Sequence, residues 1–160
     1  MEAAFTYFLK VRYCECDAQE VVFNARYGDY VDTASTEFFR AVFGDYKKLL
    51  ARGLDCQLVK QTTQWKNPAR FDDVLAISVL ATQVGNTSFT LNFHMVKHQT
   101  QTVVAECETV YVMVDAAEFT KTAVPGDVRD LLLAGAPGVV TDHAGVLVTD
   151  HAGVLVTAGA

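Results

Sequence analysis

Hydrophobic positions recur along this chain with two periods. Phe5, Tyr7, Leu9, Val11 and Tyr13 are apolar at every second place, against Thr6, Lys10 and Arg12. A period of two predicts a half-buried strand, with Phe8 the one apolar residue on its second face. From Tyr27 the spacing changes. Tyr27, Tyr30, Val31, Ala34, Phe38, Ala41 and Val42 follow the i, i+3, i+4, i+7 rule of one helical stripe. Asp29, Asp32, Ser35, Thr36, Glu37 and Arg40 fall mostly off it. The spacing predicts a helix over 25–43, with Asn24 a preferred N-cap type and Gly44 a natural stop. At ~1.5 Å per residue such a helix is roughly 28 Å long. Its stripe needs a broad sheet to cover it.

The following segments supply that sheet. Residues 45–52 read as a short helix or turn closed by Gly53. Residues 54–66 gain β-formers toward their end (Val59, Thr62, Thr63, Trp65) and predict a strand, broken by Asn67-Pro68. Residues 74–84 are β-rich and apolar on both faces, as in a central strand. Gly85-Asn86 signals a hairpin. In 87–97, Phe89, Leu91, Phe93 and Met95 alternate with Ser88, Thr90, Asn92 and His94. A polar turn over 98–101 leads to a long strand over 102–115. The expected class is α+β, a five-stranded antiparallel sheet wrapped around one long helix, which is the economical packing solution.

Residues 125–133 predict a last short helix, opened by Pro125 and holding Leu131, Leu132 and Leu133. Beyond Gly135 the character changes. T-D-H-A-G-V-L-V occurs at 141–148 and again at 149–156. A repeat this short is no solenoid, which needs about 20 residues or more per unit. It reads as a duplicated tail, packed as an extra hairpin or loose. The expected division is a domain over 1–135 and a tail over 136–160.

Composition narrows the function classes. The length of 160 residues and the 51 % hydrophobic content suit one domain with a real core. The net charge of −6 argues against a nucleic-acid surface and confines any phosphate site to a local basic patch. Glu2 stands early, no basic-then-apolar segment follows Met1, and no apolar run approaches the ~20 residues of a membrane span. Neither a signal peptide nor a membrane span is expected. Cys14, Cys16, Cys56 and Cys107 show no zinc spacing and no C-x-x-C. Buried, reduced thiols in a cytoplasmic protein are expected, with no metal and no cofactor.

The candidate chemistry lies in 11–43. Asp17 stands in a polar loop seven residues before Asn24, and the apolar step Val21-Val22-Phe23 leads into the helix. A helix N-terminus offers free N–H groups and partial positive charge. Both suit an anion or a polarised carbonyl oxygen. On spacing alone Asp17 reads either as a turn or cap residue or as a catalytic carboxylate. Asn24 reads as a plain cap, and Phe23 and Tyr27 as core or as pocket walls.

The run C-D-A-Q-E-V-V-F-N-A-R-Y-G-D-Y-V-D-T-A-S-T-E-F-F, followed by N-P-A-R-F-D-D-V-L, resembles the hot-dog-fold acyl-CoA thioesterases. It is most similar to the 4-hydroxybenzoyl-CoA and short-chain acyl-CoA groups, over about 5–114. The resemblance implies hydrolysis of an acyl-CoA to free acid and CoA. It implies a homo-oligomer, dimer or tetramer, whose site straddles two subunits. Asp17 would attack the thioester carbonyl or activate water. The backbone N–H groups of Asn24 and Ala25 would form the oxyanion hole. Phe23 and Tyr27 would wall the acyl pocket, and Asn86, Thr87 and Ser88 would lie along the pantetheine. A thioester suits one carboxylate, because its thiolate leaving group has a pKa near ~8.5 and needs little protonation.

Two positions depart from the family pattern. Asn24 stands where related short-chain enzymes have His and the hydroxybenzoyl group has an aromatic residue. Glu20 stands where the family favours Gly, which implies a shifted loop or a second carboxylate in the cleft; it reads as a helper base or, the preferred reading, as a solvent-facing Glu. Asp32 and Glu37 are reserve carboxylates, and Lys60, Lys66, Lys97 and Lys121 are candidate phosphate contacts. Arg70 is expected to pair with Asp72 or Asp73. Two rival readings are a non-catalytic acyl-CoA-binding protein and an enoyl-CoA hydratase. The latter normally uses a His with a carboxylate, and no His precedes His94.

Overall fold

A computed structural model describes residues 4–142. The first strand, β1 (Phe5–Lys10), is shorter than its alternation predicts. Past Val11 the chain leaves the sheet for a 3-10 turn, Tyr13–Glu15. The Glu15 carboxylate accepts the Arg12 amide at 2.7 Å, which takes that donor out of any strand ladder. Tyr13, expected inside, is therefore 80 % exposed.

The helix α1 (Arg26–Phe43) buries Tyr27, Tyr30, Val31, Ala34, Phe38 and Val42 as the spacing predicts. It also buries Ser35, Glu37 and Phe39. Phe39 meets Phe89 and Tyr111 edge-on, with ring centroids 6.0 and 5.5 Å away. Burying such a ring contributes roughly 1.5–3 kcal/mol. Gly44 ends the helix at φ 78°, a conformation glycine adopts without steric cost. Then comes α2 (Tyr46–Ala51), where the Asp45 side chain accepts the Lys47 amide at 2.9 Å as a true N-cap.

Four long strands follow: β2 (Leu54–Trp65), β3 (Val74–Val84), β4 (Ser88–Lys97) and β5 (Val103–Asp115). The last elements are α3 (Gly126–Ala134) and β6 (Val140–Asp142). The sheet order is β2-β5-β4-β3-β1-β6. Every pairing is antiparallel except β1 with β6. Among the described residues three helices, of which only α1 is long, lie against this sheet.

Among the described residues the sheet thus has six strands where five were expected. The sixth forms because the chain returns after Gly135 to the free edge of β1, where Val139 accepts the Thr6 amide at 3.0 Å. An uncovered edge offers unpaired backbone groups, and β6 satisfies those of β1. Residues Val140–Asp142 of the segment following 135 thus pair with the sheet. The tandem repeat, apart from Thr141 and Asp142, lies outside the described residues.

Register places the core. Tyr7 pairs with Ile77, Ile77 with Met95, and Val79 with Phe93. These residues, with Phe5, Leu75, Phe89 and Leu91, are buried and form the row facing α1. A slip of one residue would turn that whole row outward, so this face fixes the pairing.

Candidate active site

Asp17 sits at the tip of a small hairpin. Cys16 bridges Val22, and the Asp17 amide donates to the Val21 carbonyl at 2.9 Å. The Glu20 amide donates to the Asp17 carbonyl at 2.9 Å, and Asp17 Oδ1 accepts the Gln19 amide at 2.8 Å. Glu20 lies at φ 62°. This is a tight turn closed by one left-handed residue, the position that glycine suits. Glu20 thus occupies the conformation whose usual tenant would be glycine, at a steric cost of about 1–2 kcal/mol.

The return arm runs straight into α1. Phe23 donates its amide to the Glu15 carbonyl at 2.9 Å. The chain then turns through Asn24 and Ala25, and the Arg26 amide donates to the Phe23 carbonyl at 2.9 Å. Asn24 does not cap the helix. The cap position is Ala25, in helical conformation and without a side-chain bond. The entry is instead closed by backbone bonds from Tyr27 to Asn24 and from Gly28 to Ala25, at 3.4 and 3.2 Å. The amides of Asn24 and Ala25 themselves donate to no group among the described residues, and both residues are exposed.

A cleft of about 550 Å³ opens beside Asp17, lined by Tyr13, Cys16, Asp17, Glu20, Arg70 and Phe71. Tyr13 meets Phe71 edge-on at 5.9 Å. Arg70 was expected to pair with Asp72 or Asp73, and its guanidinium does not. Lys10 takes Asp72 at 3.5 Å and Lys97 takes Asp73 at 3.0 Å. The Arg70 guanidinium donates to the Glu20 carbonyl at 3.4 Å, and only its backbone amide reaches Asp73. Sequence reasoning missed Tyr13 and Phe71 as cleft walls, since alternation assigned Tyr13 to the core. The usable signal was Glu15, three residues after Arg12, the spacing of a reciprocal cap.

The other expected site residues scatter. Phe23 is half exposed beside the helix entry. Tyr27 is 3 % exposed and packs on Tyr30 and Trp65, so it belongs to the core. Burial pushes its hydroxyl up to about 12, against an opposing hydrogen bond with the Ala69 backbone. Asn86, Thr87 and Ser88 lie at the β3–β4 turn. Val74, at the other end of β3, pairs with Lys10 and adjoins the Asp17 side. Eleven strand residues at ~3.4 Å separate the two ends by roughly 35 Å. One chain alone therefore does not bring Asn86–Ser88 to Asp17. Asp32 is exposed on α1, whereas Glu37 is buried and paired with Arg40. Lys66 pairs with Glu106 at 3.6 Å. Lys60 and Lys121 form no ion pair among the described residues.

All four cysteines are free, but Cys14 is exposed and only Cys107 is buried. Burial pushes the Cys56 thiol up to about 12 and raises that of Cys107. Neither is a nucleophile at neutral pH. Among the described residues no three His, Cys, Asp or Glu side chains gather as a metal site. No described helix is long and apolar enough to cross a membrane.

Comparison with known proteins agrees with this architecture. The profile of the thioesterase-like superfamily matches residues 11–132. The acyl-CoA thioester hydrolase YbgC of Escherichia coli O6:H1 is 30 % identical over 121 residues, covering 76 % of this chain and 90 % of that protein. A solved gentisyl-coenzyme A thioesterase is 25 % identical with TM-score 0.70, covering 80 % of this chain and 98 % of the other. The 1,4-dihydroxy-2-naphthoyl-CoA thioesterase of Synechocystis, at 19 % identity, TM-score 0.72 and coverages of 80 % and 94 %, shares the fold. With its profile matched across the Asp17 hairpin, α1 and the long strands, this chain belongs to the thioesterase-like superfamily and is a hot-dog thioester hydrolase.

Proposed function

We propose that the substrate is an acyl-CoA, hydrolysed to the free acid and the CoA thiol, with Asp17 as the reacting carboxylate. Asp17 attacks the thioester carbon directly, or takes a proton from the water that does. Either route consumes one water and releases one thiol. The observation that carries this reading is the Asp17 hairpin feeding α1 through Asn24 and Ala25, whose amides have no partner among the described residues and are exposed. Two such donors suit the oxygen of a thioester carbonyl, whose negative charge grows in the transition state. The YbgC relative, named as an acyl-CoA thioester hydrolase, supports the coenzyme A half of the proposal.

A second copy of the chain completes the site in this reading. Among the described residues the outer edge of β2 has no strand partner, and Leu58, Val59 and Trp65 on that strand are half exposed. An edge so long, with three large apolar side chains half open on its strand, calls for a partner. A second copy joined there supplies the Asn86–Ser88 turn that a single chain holds too far from its own Asp17. Phe23, open beside the helix entry, then faces the acyl group. Free cysteines suit a reducing, cytoplasmic setting.

The test is thiol release from a panel of short, long and aromatic acyl-CoAs by wild type and Asp17→Asn in parallel. Release on at least one class, lost in the variant, is the expected result.

A further inference from the structure

Glu15 was not singled out by its sequence position, and the reaction as proposed makes no use of it. It is nevertheless a carboxylate only 6 % exposed, two residues from Asp17. Burying a charge is costly unless it is paired and hydrogen-bonded. Here it is fully engaged. Oε1 accepts the Arg12 amide at 2.7 Å and the Tyr30 hydroxyl at 3.1 Å. Oε2 accepts Arg12 Nε at 3.3 Å and Nη2 at 3.2 Å. Its backbone carbonyl accepts the Phe23 amide.

These bonds tie together three pieces of chain. Arg12 ends the β1 arm. Tyr30 stands on the second turn of α1. Phe23 immediately precedes the two unpartnered amides. The Tyr30 hydroxyl stays a donor, because burial and the neighbouring Glu15 charge both raise its pKa. An apolar residue of similar volume would fill the same space with less desolvation. What it would lack is direction: four donors converging on two oxygens fix where the hairpin sits relative to the helix.

We propose that Glu15 is a positioning residue, which clamps the Asp17 hairpin to the N-terminal turns of α1 so that carboxylate and oxyanion donors face one thioester carbonyl. The role rests on the functional reading of Asp17 above. It predicts a defect in turnover more than in binding, since misplacing a reacting group by about 1 Å costs up to roughly 100-fold in rate.

Glu15→Gln keeps an acceptor for Arg12 and Tyr30 but turns an amide toward the guanidinium. Tyr30→Phe removes a single donor and is the milder variant if Glu15→Gln does not fold. Phe5→Leu, a core change packed on Phe38 and away from Glu15, serves as the control for lost stability. Steady-state thiol release and thermal melting are measured for all three, beside wild type and Asp17→Asn. The expected result is a kcat lowered roughly 10- to 100-fold in Glu15→Gln, and several-fold in Tyr30→Phe, with KM within about two-fold. Phe5→Leu should melt lower and keep its kcat. Glu15→Gln or Tyr30→Phe turning over like wild type, or losing rate only in step with Phe5→Leu, would overturn the role while leaving Asp17 in place. A wild type inactive on every acyl-CoA would remove the functional reading and this role with it.

Discussion

The Arg70 guanidinium holds the carbonyl of Glu20 at 3.4 Å, fixing the left-handed corner of the Asp17 hairpin from 50 residues away in the chain. The corner costs a non-glycine residue about 1–2 kcal/mol. Part of that is recovered in the unfolded state, where glycine is freer than glutamate. Glu20→Gly should therefore stabilise by roughly 0.5–1 kcal/mol, or about 2–3 °C in Tm for a domain of this size. The contact with Arg70 survives, since it uses the backbone carbonyl. Denaturant unfolding reads the change, and a Glu20→Gly protein less stable than wild type would show that the side chain has a partner at this corner.

The unpaired β2 edge makes a second prediction. Leu58→Lys with Val59→Lys places two charges on an edge where both native residues are about half exposed. Charged residues are what natural edges use to prevent pairing. Light scattering should find wild type as a dimer or larger and the double variant shifted toward monomer. Activity should fall with it, because Asn86–Ser88 would then be absent from the site. A monomeric wild type with full activity would contradict the two-copy site.

Alkaline pH supplies a third. Burial pushes the hydroxyls of Tyr7 and Tyr27 up to about 12, from an ordinary 10, with Glu37 adding to the effect at Tyr7. Tyr30 and Tyr46 move in the same direction, each beside a carboxylate. Between pH 10 and 12 the unfolded chain releases protons that the folded chain retains, so stability falls as pH rises through that window. Below pH 10 these groups are protonated in both states and their contribution is fully present. Tyrosinate absorbance should rise together with loss of structure above pH 10, and Tyr27→Phe should flatten the slope. In a Tyr13→Phe background, which removes the 80 % exposed ring, tyrosinate appearing near pH 10 with the fold intact would contradict the burial.

The sequence carried the periodic parts well, for a physical reason. Phe89, Leu91, Phe93 and Met95 alternate because one face of β4 is wholly core, and the α1 stripe repeats because one side of that helix is. Where single polar contacts decide the path, periodicity misleads. Tyr13 continues the alternation of β1, yet the Glu15 carboxylate takes the Arg12 amide and ends the strand. Arg70 stands beside two aspartates, yet lysines from β1 and β4 reach them first. The sixth strand was hidden because Val140–Asp142 is three residues long and pairs with a strand at the far end of the sequence. The Asp17 loop and the helix entry were legible. That their donors are free was visible only once Asn24 proved not to be the cap.

Thiol release by wild type beside Asp17→Asn decides whether the Asp17 carboxylate does the chemistry. The substitution keeps size and hydrogen-bonding shape but removes the charge that, in the proposed reaction, attacks or abstracts. The account predicts release from at least one acyl-CoA class, reduced on the order of 100-fold or more in the variant, with an unchanged melting profile. An Asp17→Asn protein that hydrolyses the same substrate at the wild-type rate would contradict it.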